Sequence, residues 1–288
     1  MRPFPPRRGE ISVVLNFTKM EGCGNDYIYV DCLAGLSFDP AAAAVALSPR
    51  HFAVGADGLI CICHSDVADA KMRMFNADGS EGSMCGNGVR CVAQWLFEHG
   101  LVKDEARVET RAGIKTLQRC GEGMWQVEMG KASFAPADLP ALGFGDGPAI
   151  GKELMVGGRA WPVTCVSVGN PHCVTLVPDV AGVDLQKIGP GFEHHMAFPE
   201  GVNTEFIQVL GPNRLKMRVW ERGSGETLAC GTGASASVAA CVAGGLCRPG
   251  EDVQVELLGG TLTIRVGSDW QVLMTGPART AFTGTANI

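Results

Sequence analysis

MRVWERGSGETLACGTG, residues 217–233, repeats MRMFNADGSEGSMCGNG, residues 72–88, at a fixed distance of 145 residues (Cys230 against Cys85). Aligned without a gap, Met72, Arg73, Glu81, Cys85, Gly86 and Gly88 fall on Met217, Arg218, Glu226, Cys230, Gly231 and Gly233, and aromatic Phe75 falls on Trp220. The same offset sets Asn25, in Gly24-Asn25-Asp26, on Asn170, in Gly169-Asn170-Pro171. It also sets Gly58 against Asn203, a match of position only. One offset shared by separated motifs points to a duplicated unit. The expected architecture is two similar halves facing one another across a pseudo-two-fold axis.

Local patterns fill in each half. The runs at 27–31, 59–63, 71–75, 107–111, 125–129, 172–177, 205–210, 215–220, 253–257 and 270–274 read as strands, rich in β-branched and aromatic residues. Gly86 to Glu98 reads as a helix with Val89, Val92, Trp95 and Leu96 on one side, ended by His99-Gly100. Gly231 to Ala243 is small and apolar nearly all round, which predicts a buried helix. Pro40 to Leu47 reads as a third helix with Asp39 as its N-cap. The fold class is α+β. The expected units are an extension over 1–13, disordered, a first half over 14–135 joined by a returning strand at 277–288, and a second half over 136–276. The boundary lies where Pro, Gly and Ala dominate, between Ala132 and Gly151.

Composition narrows the class. With 46% apolar and 19% charged residues in 288, the chain can bury a substantial core. A formal net charge of -6 disfavours nucleic acid or an anionic membrane as partner. No apolar run reaches the roughly 20 residues needed to span a bilayer, and MRPFPPRRGE lacks the apolar stretch of an export signal. The 12 cysteines include no C-x-x-C pair and no zinc-ligand spacing, so no metal is expected. Cys32, Cys61, Cys63, Cys91, Cys165, Cys241 and Cys247 read as small buried hydrophobes in a reducing, cytoplasmic setting.

Cys85 and Cys230 are different, because each precedes a Gly-x-Gly turn that opens a helix. Helix N-termini carry unpaired N–H groups and partial positive charge, which should lower the thiol pKa. They also hold carboxylates. Two such devices face to face could grip one carboxylate through Gly86-Asn87 and Gly231-Thr232, with a sulfur on each side of the adjacent carbon. That arrangement suits removal of an α-proton from one face and return of a proton to the other. The carbanion would need strong stabilisation in a dry site, which the helix ends could supply. No lysine motif for pyridoxal phosphate is evident, so cofactor-free chemistry is expected. A single Cys-Gly-x-Gly turn would read as a buried thiol at a tight helix start; the in-register pair favours function. A redox pair is the rival reading.

The segments FTKMEGCGNDYIYVD, VGADGL, FNADGSEGSMCGNGVRC, VSVGNPHCV, GVNTEFIQV and RVWERGSGETLACGTGASAS resemble the diaminopimelate epimerase family, from Phe17 onward. The resemblance implies two domains, each a barrel-like shell of strands around a central helix, with the active site in the cleft and a homodimer as the usual assembly. It implies interconversion of LL- and meso-2,6-diaminoheptanedioate without cofactor, by Cys85 and Cys230 as the acid/base pair. Gly86, Asn87, Gly231 and Thr232 would hold the reacting carboxylate, with Asn25 and Asn170 near it. Asn76, Asn203, Glu221 and Arg222 would read the distal end, and His172 and Glu221 would tune the cysteines. Gly58 stands where some relatives have glutamine, leaving only a backbone contact.

Charge in the repeat agrees with a two-ended substrate. Glu221-Arg222 stands where the first half has Asn76-Ala77. Glu221 could pair with an ammonium and Arg222 could grip a carboxylate by a two-pronged contact. A racemase of another amino acid is the nearer alternative, and a thiol-redox or binding protein the more distant one. Cys23, between two glycines beside Asn25, is an extra thiol with no assigned role.

Overall fold

The computed structural model describes residues 13–288, so residues 1–12 of the extension expected over 1–13 lie outside the described residues. Val13, assigned to that extension, exchanges two backbone hydrogen bonds of 3.0 Å with Ile288.

The first half runs β1 (Val14–Gly22), β2 (Asn25–Cys32), α1 (Pro40–Leu47), β3 (Gly58–Cys63), β4 (Ala70–Asn76), β5 (Glu81–Gly82), α2 (Gly86–Glu98), β6 (Glu105–Thr110), β7 (Gly113–Gly121) and β8 (Met124–Lys131). After a 3-10 turn at Pro136–Asp138 the second half runs β9 (Lys152–Val156), β10 (Arg159–Ser167), β11 (Pro171–Leu176), α3 (Leu185–Glu193), β12 (Asn203–Gly211), β13 (Arg214–Glu221), β14 (Gly225–Glu226), α4 (Gly231–Ala243), β15 (Asp252–Leu257), β16 (Gly260–Val266) and β17 (Gln271–Pro277). The last strand, β18 (Arg279–Asn287), pairs antiparallel with β1.

The 145-residue offset holds in the pairing. Tyr27 sits opposite Gly58 in the parallel pair β2–β3, and His172 sits opposite Asn203 in β11–β12. Leu59 opposes Phe75, and Thr204 opposes Trp220. Phe75 opposes Glu81, and Trp220 opposes Glu226. The ion pair Arg73–Glu81 at 2.8 Å recurs as Arg218–Glu226 at 2.7 Å, bracing each hairpin that leads to a cysteine. The sheet is continuous between halves, because β17 pairs with both β16 and β8.

Burial explains the layout. Helix α2 buries nearly every residue from Gly86 to Leu96, and α4 is buried on all sides by Ala, Ser and Val. Both lie in one apolar cluster shared by the halves. Each half adds an outer cluster under its short helix: Leu47 and Phe75 under α1, Phe192 and Trp220 under α3. Those four residues correspond at the same offset.

Two expectations need amendment. Helix α3 was not anticipated, since Gly189, Pro190 and Gly191 suppress the helical pattern. Cys63 is half-buried, not in the core, while the other six cysteines named with it are buried.

Candidate active site

The two repeated cysteines are helix N-caps. Cys85 (φ −132°, ψ 119°) and Cys230 (φ −121°, ψ 110°) have extended backbone, and their sulfurs accept from Gly88 N at 3.3 Å and Gly233 N at 3.4 Å. The glycines let both helix starts lie close against one side chain. A Cβ on Gly86 would lie 2.7 Å from Met274 Cε, and one on Gly231 would lie 2.8 Å from Met274 Sδ. One methionine of β17 thus separates two helix starts that come from different halves. Asn87 also spans them, with Nδ2 donating to Ala229 O at 3.4 Å.

The paired asparagines flank the sulfurs. Asn25 Nδ2 donates to Asp57 at 2.7 Å, which turns Oδ1 toward Cys85 Sγ, 3.2 Å away. Asn170 Oδ1 lies 3.0 Å from His172 Nε2, and its Nδ2 donates to Thr232 Oγ1 at 3.3 Å. Thr232 Oγ1 is 3.5 Å from Cys230 Sγ. His172 Nδ1 meets Glu205 Oε1 at 2.7 Å, with both side chains fully buried. A carboxylate can only accept unless protonated, so Nδ1 carries the hydrogen there. The result is a continuous chain from Glu205 through His172, Asn170 and Thr232 to Cys230.

Electrostatics depart from the expected direction. The Cys85 thiol is raised chiefly by burial, which outweighs the N–H groups of Gly88 and Asn87 and the charge of Arg90. Cys230 is raised well above the ordinary range by burial, then by the carboxylates of Glu221 and Glu205, against Thr232 and Gly233. The helix ends act with the predicted sign, but desolvation is larger. Glu221 is itself raised by burial, opposed by Thr227, which donates to Oε1, and by Cys230. Its charge is felt at both sulfurs, so Glu221 lies near both cysteines.

Asn203 Oδ1 accepts from Arg222 N at 3.0 Å, and its Nδ2 donates to Pro171 O at 3.0 Å. Arg222 is exposed, with Nη1 donating to Glu200 O at 2.9 Å. Asn76 closes its own hairpin turn through Ser80 Oγ at 3.0 Å. A Cβ on Gly58 would lie 2.1 Å from Phe75 O, so any larger residue requires backbone movement.

Several contributors were missed from sequence. Asp57 holds Asn25, Glu205 holds the His172 ring that faces Asn170, and Tyr27, buried beside Asn25, feels the charge of Cys85. Arg90 is fully buried, donating to Gly86 O at 3.2 Å, Asn87 Oδ1 at 2.9 Å and Pro277 O at 3.2 Å. One signal was available: its counterpart at the offset is Ser235, on the helix read as wholly buried. Among the described residues no group of three or more His, Cys, Asp or Glu side chains is placed to hold a metal ion.

Known proteins are similar to this chain in sequence and in fold. The family model described as "Diaminopimelate epimerase" matches residues 17–135 and 164–281, one stretch in each half. A diaminopimelate epimerase of Agathobacter rectalis is 48% identical over 287 residues, covering 95% of this chain and 100% of that protein. Diaminopimelate epimerase 1 of a Nostoc species is 49% identical over 281 residues, covering 94% and 99%. In fold, a PhzF-family phenazine biosynthesis protein of Bacillus anthracis superposes with a TM-score of 0.71 at 20% identity, covering 96% of this chain and 100% of that one. On the family match and the full-length identities, this chain is a member of the diaminopimelate epimerase family.

Proposed function

We propose that the protein interconverts LL- and meso-2,6-diaminoheptanedioate without a cofactor, using Cys85 and Cys230 as two bases on opposite faces of one α-carbon. In a cell this would supply meso-diaminopimelate for lysine synthesis and cell-wall precursor. The observation that carries the reading is the meeting of two cysteine-capped helix starts across Met274.

In the proposed cycle one cysteine, as thiolate, takes the α-hydrogen as a proton and becomes a thiol. The C–H electron pair moves into the adjacent carboxylate, whose growing charge falls on the N–H groups of Gly86-Asn87 and Gly231-Thr232. The opposite thiol then gives its proton to the other face of the carbon and becomes the thiolate. Atoms and charge balance, and the two sulfurs exchange roles. Because burial raises both thiols, a thiolate formed in the site is a strong base once made. Glu221, hydrogen-bonded to Cys230, is placed to take the Cys230 thiol proton and so form the starting thiolate. Asn203 and the exposed Arg222 would receive the distal amino-acid end. The resemblance extends the reading to a cytoplasmic homodimer.

The test is turnover of LL-diaminopimelate in heavy water, followed at early times. Two bases predict deuterium in the meso product while recovered LL substrate keeps its proton. Absence of α-deuterium in any species would remove the epimerase reading; equal labelling of both would favour one base.

A further inference from the structure

The two halves differ chemically at one cluster next to Arg222. In the second half Glu193, the last residue of α3, is buried and its carboxylate accepts two N–H groups: Trp220 Nε1 on Oε2 at 2.7 Å and Gly223 N on Oε1 at 2.8 Å. Among the described residues, the exposed His194 lies 4.0 Å from Oε1, and the charge of Arg222 also acts on the carboxylate. At the 145-residue offset the first half has Ser48, Phe75 and Asp78. Ser48 is buried with its hydroxyl unpartnered, and Phe75 has no polar group to offer. So the carboxylate, the indole donor and the arginine-bearing turn occur together in one half and are absent together from the other.

The clamp encloses Arg222. Glu193 fixes the residues on either side of Glu221-Arg222, and Asn203 Oδ1 takes the Arg222 N–H between them. The side chain packs over Gly201, where a Cβ would lie 3.0 Å from Arg222 Cδ, and Nη1 donates to Glu200 O. Among the described residues the guanidinium's hydrogen bond is to a backbone carbonyl, Glu200 O, which leaves a charged fork open to an anion. Burial would raise the Glu193 carboxyl, but the Gly223 and Trp220 N–H groups outweigh it and hold it low, so the clamp is anionic near neutral pH.

We propose that Glu193 is a specificity-determining positioning residue: by clamping Trp220 and Gly223 it aims Arg222 at the carboxylate on the unreacting end of the substrate. The proposal rests on the reading of Arg222 as the distal-end receptor. Glu193 touches neither sulfur and would act on binding, not on proton transfer.

The test is a double-mutant cycle with Glu193→Gln and Arg222→Met, measuring KM and kcat for LL-diaminopimelate. Glutamine is isosteric but can accept from only one of the two donors, whichever way its amide turns. Glu193→Gln alone should raise KM by about tenfold, with kcat kept within about twofold. In the Arg222→Met background it should add less than about twofold, because there is no guanidinium left to aim. Equal KM effects in both backgrounds, or a fall in kcat with KM unchanged, would overturn the proposal. Should Glu193→Gln fail to fold, Trp220→Phe installs the first-half residue, removes one donor, and must raise KM in the same non-additive way. If Arg222→Met itself leaves KM unchanged, the distal-end reading fails instead, and the two failures are distinct.

Discussion

Asn25 and Asn170 occupy corresponding places in the two halves, yet their amides point opposite ways. Asn25 turns its carbonyl to the Cys85 sulfur, 3.2 Å away, whereas Asn170 turns its N–H to Thr232, 3.3 Å away. Asp57 imposes the first orientation and the His172–Glu205 pair faces the second. Cys85 therefore has an acceptor for its proton. Cys230 is met by the Gly233 N–H and by a Thr232 hydroxyl that has already accepted from Asn170. A duplicated arrangement has become chemically one-sided.

Asp57→Ala tests that orientation. It removes the acceptor for Asn25 Nδ2 and for Asp26 N, 3.1 Å away, and frees the amide to turn. Loss of a hydrogen bond to a charged group costs about 1.5–3 kcal/mol, so α-proton exchange should fall roughly 10- to 100-fold. A near-normal exchange rate would show that the amide direction does not matter.

Cys85→Ser and Cys230→Ser separate chemistry from folding. Serine is a preferred N-cap, so each helix start should be kept or improved. Each variant should lose about 10³-fold or more in epimerisation while its urea midpoint stays at or above that of the parent. Retained turnover in either would end the two-base scheme.

Met274 sets the spacing of the helix starts. Met274→Ala should destabilise by about 2–5 kcal/mol, since its side chain is fully buried against Gly86 and Gly231. Met274→Leu, which conserves volume, should cost less than about 1.5 kcal/mol. Urea unfolding of both distinguishes a spacer from an incidental core residue.

Buried thiols make stability fall in alkali. Burial pushes Cys91 from 9.0 to about 12. The folded protein therefore keeps a proton that the unfolded chain has released. This contribution is intact below pH 9 and is lost as pH climbs from there toward 12. Unfolding free energy should decline over that window, and Cys91→Ala should flatten the decline. An identical pH dependence in parent and variant would contradict it.

Much of this could be read from residues alone. The repeat located both central helices and both cysteines, and Asp39 before Pro40 marked α1, whose cap accepts from Ala41 and Ala42. What escaped was tertiary. Helix α3 carries two glycines and a proline and forms because Phe192 packs among Trp161 and Phe206. Arg90 and Glu205 belong to residue types usually found at the surface and are buried here by partners distant in sequence. The direction of the thiol shifts escaped for the same reason. A helix N-terminus is visible in sequence, but the depth at which it lies is not.

The most direct measurement is a structure with diaminopimelate bound. The two-cysteine scheme predicts Cys85 Sγ and Cys230 Sγ each about 3.5 Å from one α-carbon, on opposite faces, with its carboxylate at the N–H groups of Gly86-Asn87 and Gly231-Thr232. A bound substrate with either sulfur on the same face as the other, or out of reach of that carbon, would contradict it.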